Sequence, residues 1–548
     1  MKTKIFFLLS LVIPLTLIIS PLVGRVSASK PASEQKQADT TTAFVNVNVI
    51  PMDTKQVLEN QTVIVEGDRI VAVGSADEIT VPENAVVVDG TGKYLIPGLA
   101  DMHFHGWSRR QALTLALAYG VTTVRNFNAL PEDLELARRI EAGEVLGPIY
   151  YNGWSIADAP PNYPIIRLMQ IGGGLALGIL LFLIALVALY VTGRAEMARR
   201  LLLRKILIWI GVVVGASVLF AYTEIMPEEP YLLMIGKDGA TSSPERAASF
   251  VHKYSAAGAD FIKTNQNISR DVFDAIVAAA KEEGIPVTGH VSQDVGLEYY
   301  LNAGGSIQHT TEIAPFLSQA GIYDHPLQEF DLLLADEKLP ELVDLYVRNG
   351  GSFTPTLYLM KFASLHQDKD LFAAIYAQPE LKLMPPSEWQ GMDNPKDNFV
   401  VKHFTGKEAY VEKFRDFEKK LVMALYEAGV PILAGTDVTS VPGIIYGESL
   451  HGELELLVQA GMTPYQALDA ATRTPALAMG DLDEWGTIEV GKRANMVLLS
   501  ANPLEDISNT RQIEGVMARG NWLPQSKIQE MLAALPASYE TTGDPRGE

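Results

Sequence analysis

Two histidines separated by one residue, His103 and His105, lie in the stretch PGLADMHFHGW at residues 97–107. Residues two apart on a β-strand point to the same face, so both imidazoles can reach one metal ion. Histidines at this spacing also occur without any function. The pair therefore indicates a metal site only if the fold brings further ligands to it.

Four more side chains suited to metal binding or proton transfer each stand at the end of a predicted strand. They are Lys263 in ADFIK, His290 in VTGHV, His309 in SIQHT and Asp437 in AGTD. In a barrel of parallel strands the active site lies at the C-terminal ends of the strands. We therefore expect these four side chains to meet the two histidines.

The elements that must position these side chains change in character twice along the chain. Short β-rich runs with Gly and Asp turns fill residues 44–95, and β-rich runs return after residue 481. Between them, short buried strands alternate with amphipathic helices such as RDVFDAIVAAAKEEG. About eight such units predict an α/β fold, a (β/α)8 TIM barrel, with a small β-sandwich domain built from both termini.

Several stretches together resemble the metal-dependent amidohydrolases, in the branch of imidazolonepropionase-like and Xaa-Pro dipeptidase (prolidase)-like enzymes. They are PGLADMHFHGW, GVTTVRN, GADFIK, the two later histidine strands, GTD, and the C-terminal signature HGELELLVQAGMTPYQALDAATRTPALAMG with GTIEVGKRANMVLLSANPLEDI. The resemblance runs from about residue 44 to residue 522. It is specific for the superfamily and much less specific for the substrate.

The resemblance implies a site with two divalent metal ions, usually zinc. His103, His105 and Asp437 would hold one ion, and His290 and His309 the other. Residue 263 would bridge the ions as a carboxylated lysine. A free lysine is a poor ligand because it is protonated, and burial beside cations would lower its pKa toward the reactive neutral amine.

The implied reaction is hydrolysis of an amide or cyclic amide C–N bond. Two cations would activate a water and polarise the carbonyl, and Asp437 would pass a proton to the leaving nitrogen. The alternatives are a prolidase-like Xaa-Pro dipeptidase and a catalytically silent barrel that serves as an extracytoplasmic binding module. Lys263 could instead be a buried ion-pair partner, and Asp437 a helix N-cap.

Composition narrows the choice of partners. The 548 residues carry a formal net charge of -21 and no cysteine. The acidity argues against nucleic acid and against an anionic membrane surface, and the missing thiols exclude cysteine catalysis and thiolate metal sites. The expected partner is a small-molecule amide or dipeptide. The oligomeric state stays open.

Two apolar runs, at residues 171–191 and 206–222, interrupt this enzyme-like sequence. Each approaches the length that crosses a bilayer as a helix, and each contains one GxxxG. The basic stretch between them, residues 192–205, predicts a cytoplasmic turn and an extracytoplasmic barrel. We therefore expect a transmembrane hairpin and a membrane localisation; two very apolar core helices are the alternative.

The hairpin would follow the third barrel strand. Loops that follow strands emerge on the catalytic face, so the mouth of the site would open near the membrane. Lys2 and Lys4 precede an apolar run, which is typical of a secretory signal peptide or of a retained anchor.

Further candidates are less specific. Trp107, Arg109, Arg110 and Tyr358 follow strands and could contact substrate, although basic residues at a helix start are more often solvated. His451 is expected to pack or hydrogen-bond on a helix. The remaining histidines are interpreted as surface or core residues: His252, His325, His366 and His403.

The predicted segments follow from these patterns. They are the signal peptide or anchor (1–28), a linker (29–42), the first β-sandwich part (43–98), the barrel (99–480) with its inserted hairpin (165–225), the second β-sandwich part (481–525) and a C-terminal tail (526–548).

Overall fold

A computed structural model describes residues 40–157, 241, 243–265, 267–313, 332–365, 369–389, 408–438 and 443–541. The predicted signal or anchor, nearly all of the predicted linker and the two apolar runs lie outside these residues. All structural statements below concern the described part of the chain.

The first sheet joins strands from both ends of the chain. Its strands are β1 (Thr41–Val49), β2 (Leu58–Glu66), β3 (Arg69–Ser75), β4 (Val86–Asp89), β5 (Tyr94–Pro97), β13 (Met496–Leu499), β14 (Ile513–Ala518) and β15 (Asn521–Pro524). Their order is β15-β14-β13-β5-β1-β2-β3, with β4 beside β1. Strand β5 pairs antiparallel with β13, which places Ile96 opposite Val497. This pairing ties the N-terminal strands to the C-terminal ones.

Apolar side chains hold this sheet together. The ring of Phe44 meets the ring of Trp522 edge-on, with centroids 4.9 Å apart. Both belong to a cluster that also buries Val63, Leu95 and Met517. In FVNVNV the buried Val47 and Val49 alternate with the polar Asn46 and Asn48, because period-two patterns bury one face of a strand. The strand register shifts between Phe44 and Val47, and Phe44 joins the same cluster.

The second sheet is parallel and curls into a barrel. Its seven strands are β6 (Leu99–Phe104), β7 (Val121–Asn126), β8 (Ile149–Ile156), β9 (Phe261–Thr264), β10 (Val287–Gly289), β11 (Ser306–Gln308) and β12 (Phe353–Thr354), paired in sequence order. The stretch 431–438 lies between the two edges. Leu433 N donates to Phe353 O at 2.9 Å on one side, and Met102 N donates to Ala434 O at 2.9 Å on the other. The barrel of the predicted fold class is therefore present.

Helices cover the barrel. They are α1 (Arg109–Ala118), α2 (Pro131–Glu141), α3 (Pro244–Ala257), α4 (Arg270–Glu283), α5 (Leu297–Asn302), α6 (Leu332–Asn349), α7 (Leu357–Leu365), α8 (Lys369–Tyr376), α9 (Glu408–Glu427), α10 (Glu448–Ala460), α11 (Pro464–Asp469), α12 (Arg473–Met479) and α13 (Gln525–Thr541). Helix α4 is amphipathic and buries Val272, Phe273 and Ile276. It ends at Gly284, whose φ of 73° suits glycine because the left-handed region strains other residues.

The predicted fold class and localisation need one correction. None of the helices that the structure describes is long and apolar enough to cross a membrane. A spanning helix needs about 20 largely apolar residues, whereas the 20-residue helix α9 carries charges along its length. The predictions of an inserted transmembrane hairpin and of a membrane localisation are therefore wrong. The prediction that the active-site mouth faces a bilayer depended on them and is wrong as well.

Candidate functional site

Three of the six predicted site residues form a tight group at one end of the barrel. His103 and His105 lie at the end of β6, and Asp437 lies at the end of the closing stretch 431–438. Asp437 Oδ1 is 2.9 Å from His105 Nε2 and 3.4 Å from His103 Nε2. One nitrogen of each imidazole and one carboxylate oxygen all lie within 4.8 Å of one another, and all three residues are buried. This group could hold a metal ion.

The backbone is strained where these side chains are presented. His309 and Asp437 have φ values of 66° and 55°, and Thr356 has a φ of 52°. Each follows a barrel strand, and residues other than glycine rarely adopt positive φ. Such strain persists only where surrounding contacts enforce it, and it is concentrated at functional sites.

A buried carboxylate enforces part of this geometry. Asp101 Oδ1 accepts hydrogen bonds from the backbone nitrogens of His103 and Thr436, both at 3.1 Å. Its Oδ2 accepts from Thr436 Oγ1 at 2.7 Å. Gly435 makes the approach possible, since a Cβ there would lie 2.8 Å from His103 N. Asp101 therefore ties the first barrel strand to the stretch that carries Asp437.

Two further histidines are held by a hydrogen bond at Nδ1. His309 Nδ1 is 2.8 Å from Thr356 Oγ1, and its Nε2 lies 3.8 Å from Asp437 Oδ2. His290 Nδ1 is 2.8 Å from Glu312 Oε1. The rings of His290 and His309 stack with centroids 5.2 Å apart. These two imidazoles thus lie beside the first group, with their Nδ1 atoms engaged elsewhere.

Lys263 lies inside the barrel on β9. Its side chain is buried, and its Nζ is 5.6 Å from the ring centroid of Phe127, which stacks on His103 at 4.1 Å. Burial lowers the pKa of Lys263, although Asp437 and Glu312 oppose that shift. The environment thus favours a neutral amine more than water does.

Burial also sets the charge of the ligand group. Desolvation lowers the pKa of His103 and His105, and it brings that of His309 to about 4. Burial alone would raise the pKa of Asp437, but the three imidazoles hold it well below its usual value. The group therefore consists of neutral imidazoles around an ionised carboxylate.

This donor set fits a divalent metal ion. Imidazole nitrogen and carboxylate oxygen are the ligands that zinc and similar ions take. His103 Nε2 and His105 Nδ1 are buried without a hydrogen-bond partner among the described residues. Of the two, His103 Nε2 lies 3.4 Å from Asp437 Oδ1. An imidazole nitrogen left this way next to a carboxylate is consistent with a metal site.

The four candidate substrate-contacting residues lie in different surroundings. Trp107 stacks on His105 with centroids 5.8 Å apart. Arg109 is buried and faces Glu132 at 3.3 Å, whereas Arg110 is exposed. Tyr358 of α7 is buried. Its ring packs against Gly452 of α10, in the space that a Cβ at residue 452 would occupy. Of these four, Trp107 contacts a member of the metal-binding group, His105.

Two other histidines of the described residues lie apart from the group. His451 is buried, and its two ring nitrogens lie 2.9 Å from Thr510 Oγ1 and 3.0 Å from Tyr119 O. His252 is more exposed and pairs with Glu283 at 2.6 Å. Three more are outside the described residues: His325, His366 and His403.

Sequence reasoning missed the side chains that hold the histidines. They are Asp101, Arg125, Gln308, Glu312 and Thr356. A charged residue inside the apolar strand VTTVRN was a usable signal for Arg125, since buried charges need partners. Nothing in the local pattern distinguishes Gln308 or Thr356 from ordinary strand residues.

Parts of the sequence match known proteins. A model of the Amidohydrolase family matches residues 94–523. Adenine deaminase of Staphylothermus marinus is 32% identical over 156 residues, which cover 27% of this chain and 23% of that protein. Imidazolonepropionase of Alkaliphilus metalliredigens is 41% identical over 66 residues, which cover 11% of this chain and 16% of that protein. Each alignment thus covers less than a quarter of the curated relative.

Solved structures resemble the fold over most of its length. A crystal structure of a Xaa-Pro dipeptidase with bound methionine in its active site has a TM-score of 0.57 and 20% sequence identity. The superposition covers 88% of this chain and 100% of that one. At this identity the likeness concerns the fold alone. The family match, in contrast, spans well over half of the sequence. The chain belongs to the amidohydrolase family, which confirms the family and the enzyme class, a hydrolase acting on carbon–nitrogen bonds, expected from the sequence.

Proposed function

We propose that the chain hydrolyses an amide or cyclic amide bond of a small molecule and that its site depends on divalent metal. The observation that carries this proposal is the cluster of His103, His105 and Asp437, whose ligand atoms lie within 4.8 Å of one another. Its burial at the C-terminal end of a (β/α)8 barrel supports a catalytic role, since active sites of this fold lie there.

The three residues of the cluster would have distinct roles in this reaction. His103 and His105 would bind the metal through imidazole nitrogen, and Asp437 would bind it through carboxylate oxygen. A divalent ion in this position supplies Lewis-acid polarisation of the carbonyl and lowers the pKa of water. Asp437, ionised and buried, would take a proton from the attacking water on a carboxylate oxygen and return it to the leaving nitrogen.

A second ion is part of the proposal. His290 and His309 would hold it, and Lys263 would bridge both ions as a carbamate. Support comes from the burial of Lys263, which lowers the pKa of its amine, and from the stacking of the two imidazoles at 5.2 Å. We propose zinc for both ions because imidazole and carboxylate oxygen suit it.

The test starts with the full-length chain loaded with zinc. Metal content is measured first, and hydrolysis is then screened over N-acyl amino acids, Xaa-Pro dipeptides, cyclic amides and an aminopurine. The dipeptides test the prolidase-like alternative, and the aminopurine is included because one relative is an adenine deaminase. Asp437→Ala is expected to lose both bound metal and turnover.

One alternative class is a silent barrel that binds without catalysis. It predicts metal-loaded protein with no turnover in any arm of the screen. The joint presence of three buried ligands and two further imidazoles beside them argues against it, because a silent barrel would be free to lose one of them. Turnover that is retained in Asp437→Ala would contradict the proposed mechanism.

A further inference from the structure

A buried arginine crosses the inside of the barrel below the metal-binding group. Arg125 extends from β7, and its Nε donates to Met102 O at 2.9 Å. Its Nη2 lies 3.3 Å from Thr354 Oγ1 and 3.4 Å from Gln308 Oε1. A guanidinium only donates hydrogen bonds. The amide atom of Gln308 that faces Arg125 must therefore be its oxygen.

The other end of the same amide is fixed as well. Gln308 Nε2 donates to Thr288 Oγ1 at 2.9 Å. The hydrogen of that hydroxyl is already used, because Thr288 Oγ1 donates to the carbonyl of Ser306 at 2.9 Å. Thr288 Oγ1 can thus only accept from Gln308. A donor on one side and an acceptor on the other leave the amide a single orientation.

This orientation decides where His103 carries its hydrogen. Gln308 Oε1 lies 3.0 Å from His103 Nδ1, and both groups are buried. An amide oxygen cannot donate, so the hydrogen of the neutral imidazole must sit on Nδ1. The lone pair is then on Nε2, the atom 3.4 Å from Asp437 Oδ1.

We propose that Gln308 is a positioning residue, which holds His103 in the tautomer with hydrogen on Nδ1 and so keeps Nε2 available as a metal ligand. The metal-binding part of this inference rests on the proposed function. Residues that bond the second nitrogen of a ligand histidine typically change metal affinity 10- to 100-fold when mutated.

The partner of His103 differs from the partner of His290. His290 Nδ1 faces the carboxylate of Glu312 at 2.8 Å, whereas His103 faces a neutral amide held by a cation. An imidazole that is hydrogen-bonded to a carboxylate is more basic, and therefore a stronger metal ligand, than one that is hydrogen-bonded to an amide. A glutamate at position 308 would accept from both Arg125 and His103 and should preserve the tautomer. Its second oxygen would take the Thr288 hydroxyl hydrogen that in the wild type goes to Ser306 O.

Three variants of the full-length chain separate this role from simple stability. Gln308→Met keeps the volume and removes both amide atoms. Gln308→Glu keeps an acceptor toward His103 and is the rescue variant. Thr354→Val removes another hydrogen-bond partner of Arg125 and leaves Gln308 intact, so it controls for the loss of a buried polar contact.

The first readout is the ¹⁵N spectrum of metal-free protein labelled at histidine, with the His103 signals assigned by their loss in His103→Ala. We expect a protonated Nδ1 and an unprotonated Nε2 in the wild type, Thr354→Val and Gln308→Glu, and mixed tautomers in Gln308→Met. The second readout is zinc affinity by competition with a chromophoric chelator. We expect a loss of about 10- to 100-fold in Gln308→Met and no loss in Gln308→Glu.

A wild-type spectrum with the hydrogen on Nε2 would overturn the proposal, whether or not the methionine variant folds. So would zinc affinity in Gln308→Met within about twofold of the wild type. Failure of the proposed function has a different signature. A wild type that shows the assigned tautomer but binds no divalent metal would contradict the metal-dependent function and leave the tautomer assignment supported.

Discussion

Glu453 of helix α10 receives the first two backbone N–H groups of helix α7. Its Oε2 accepts from Tyr358 N at 2.7 Å, and its Oε1 accepts from Leu357 N at 3.1 Å. The first N–H groups of a helix have no partner within the helix, so a side chain that accepts from them stabilises it. The bond also holds the turn in which Thr356 reaches His309 Nδ1. Glu453 of α10 thus stabilises the turn whose Thr356 contacts His309.

Replacing Glu453 by alanine should destabilise the fold. The carboxyl group is fully buried, and its loss leaves two donors unsatisfied, at a cost of about 2 to 3 kcal/mol. Urea unfolding of the full-length chain measures this loss. Glu455→Ala, on the same helix and paired with Arg511 at the surface, is the control and should cost less than about 1 kcal/mol. Equal losses in both variants would contradict the capping role.

The same residue should make stability depend on pH. Burial raises the pKa of Glu453 to about 8 from its usual 4.5, against the opposing effect of the two N–H bonds. The folded state therefore binds a proton that the unfolded state releases between these values. The stabilisation is complete below pH 4.5 and is lost as the pH rises through about 8.

Glu453→Gln cannot titrate and isolates this effect. The free energy of unfolding of the wild type, relative to that of the variant, should fall as the pH rises from about 5 to 8. Chemical denaturation at four pH values across this window measures it. Parallel curves for the two proteins would show that residue 453 does not take up a proton on folding.

Metal binding should stabilise the folded chain. An ion that binds only the folded state at 100 times its dissociation constant adds about 2.7 kcal/mol. Removal of the ion by a chelator should lower the thermal midpoint of the wild type, and Asp437→Ala should not respond. His252→Ala, at an exposed histidine away from the site, should respond like the wild type. A chelator response that persists in Asp437→Ala would assign the ion to another place.

Lys263→Ala tests the bridging carbamate. If residue 263 supplies two oxygen ligands, its loss should reduce the bound zinc from two ions to one and abolish turnover. An added short-chain carboxylate can occupy the same space and should restore part of both, without activating the wild type. If Lys263 were only an ion-pair partner, the variant would lose stability but keep its zinc content. Elemental analysis and turnover, each with and without acetate, separate the two cases.

Much of the barrel could be predicted from local pattern. The strands ADFIK, VTGHV and SIQHT are short apolar runs between amphipathic helices, and each appears in the structure where the pattern placed it. The sequence also indicated His103, His105 and Asp437, because parallel strands of a barrel present their ends on one face. The fold class and localisation predicted from the apolar runs at residues 171–191 and 206–222 were wrong. Hydropathy, one GxxxG in each run and the basic stretch between the runs are local patterns, and together they predicted a membrane hairpin.

The sequence by itself determined the order of strands and helices, the family and the chemical types gathered at one end of the barrel, since these depend on short-range pattern and motif. Only the tertiary structure decided which partners hold them. Gln308 meets His103 and Glu453 meets Tyr358 across long stretches of chain. Such contacts depend on how strands and helices pack, and a buried polar atom must find its partner wherever the packing brings one.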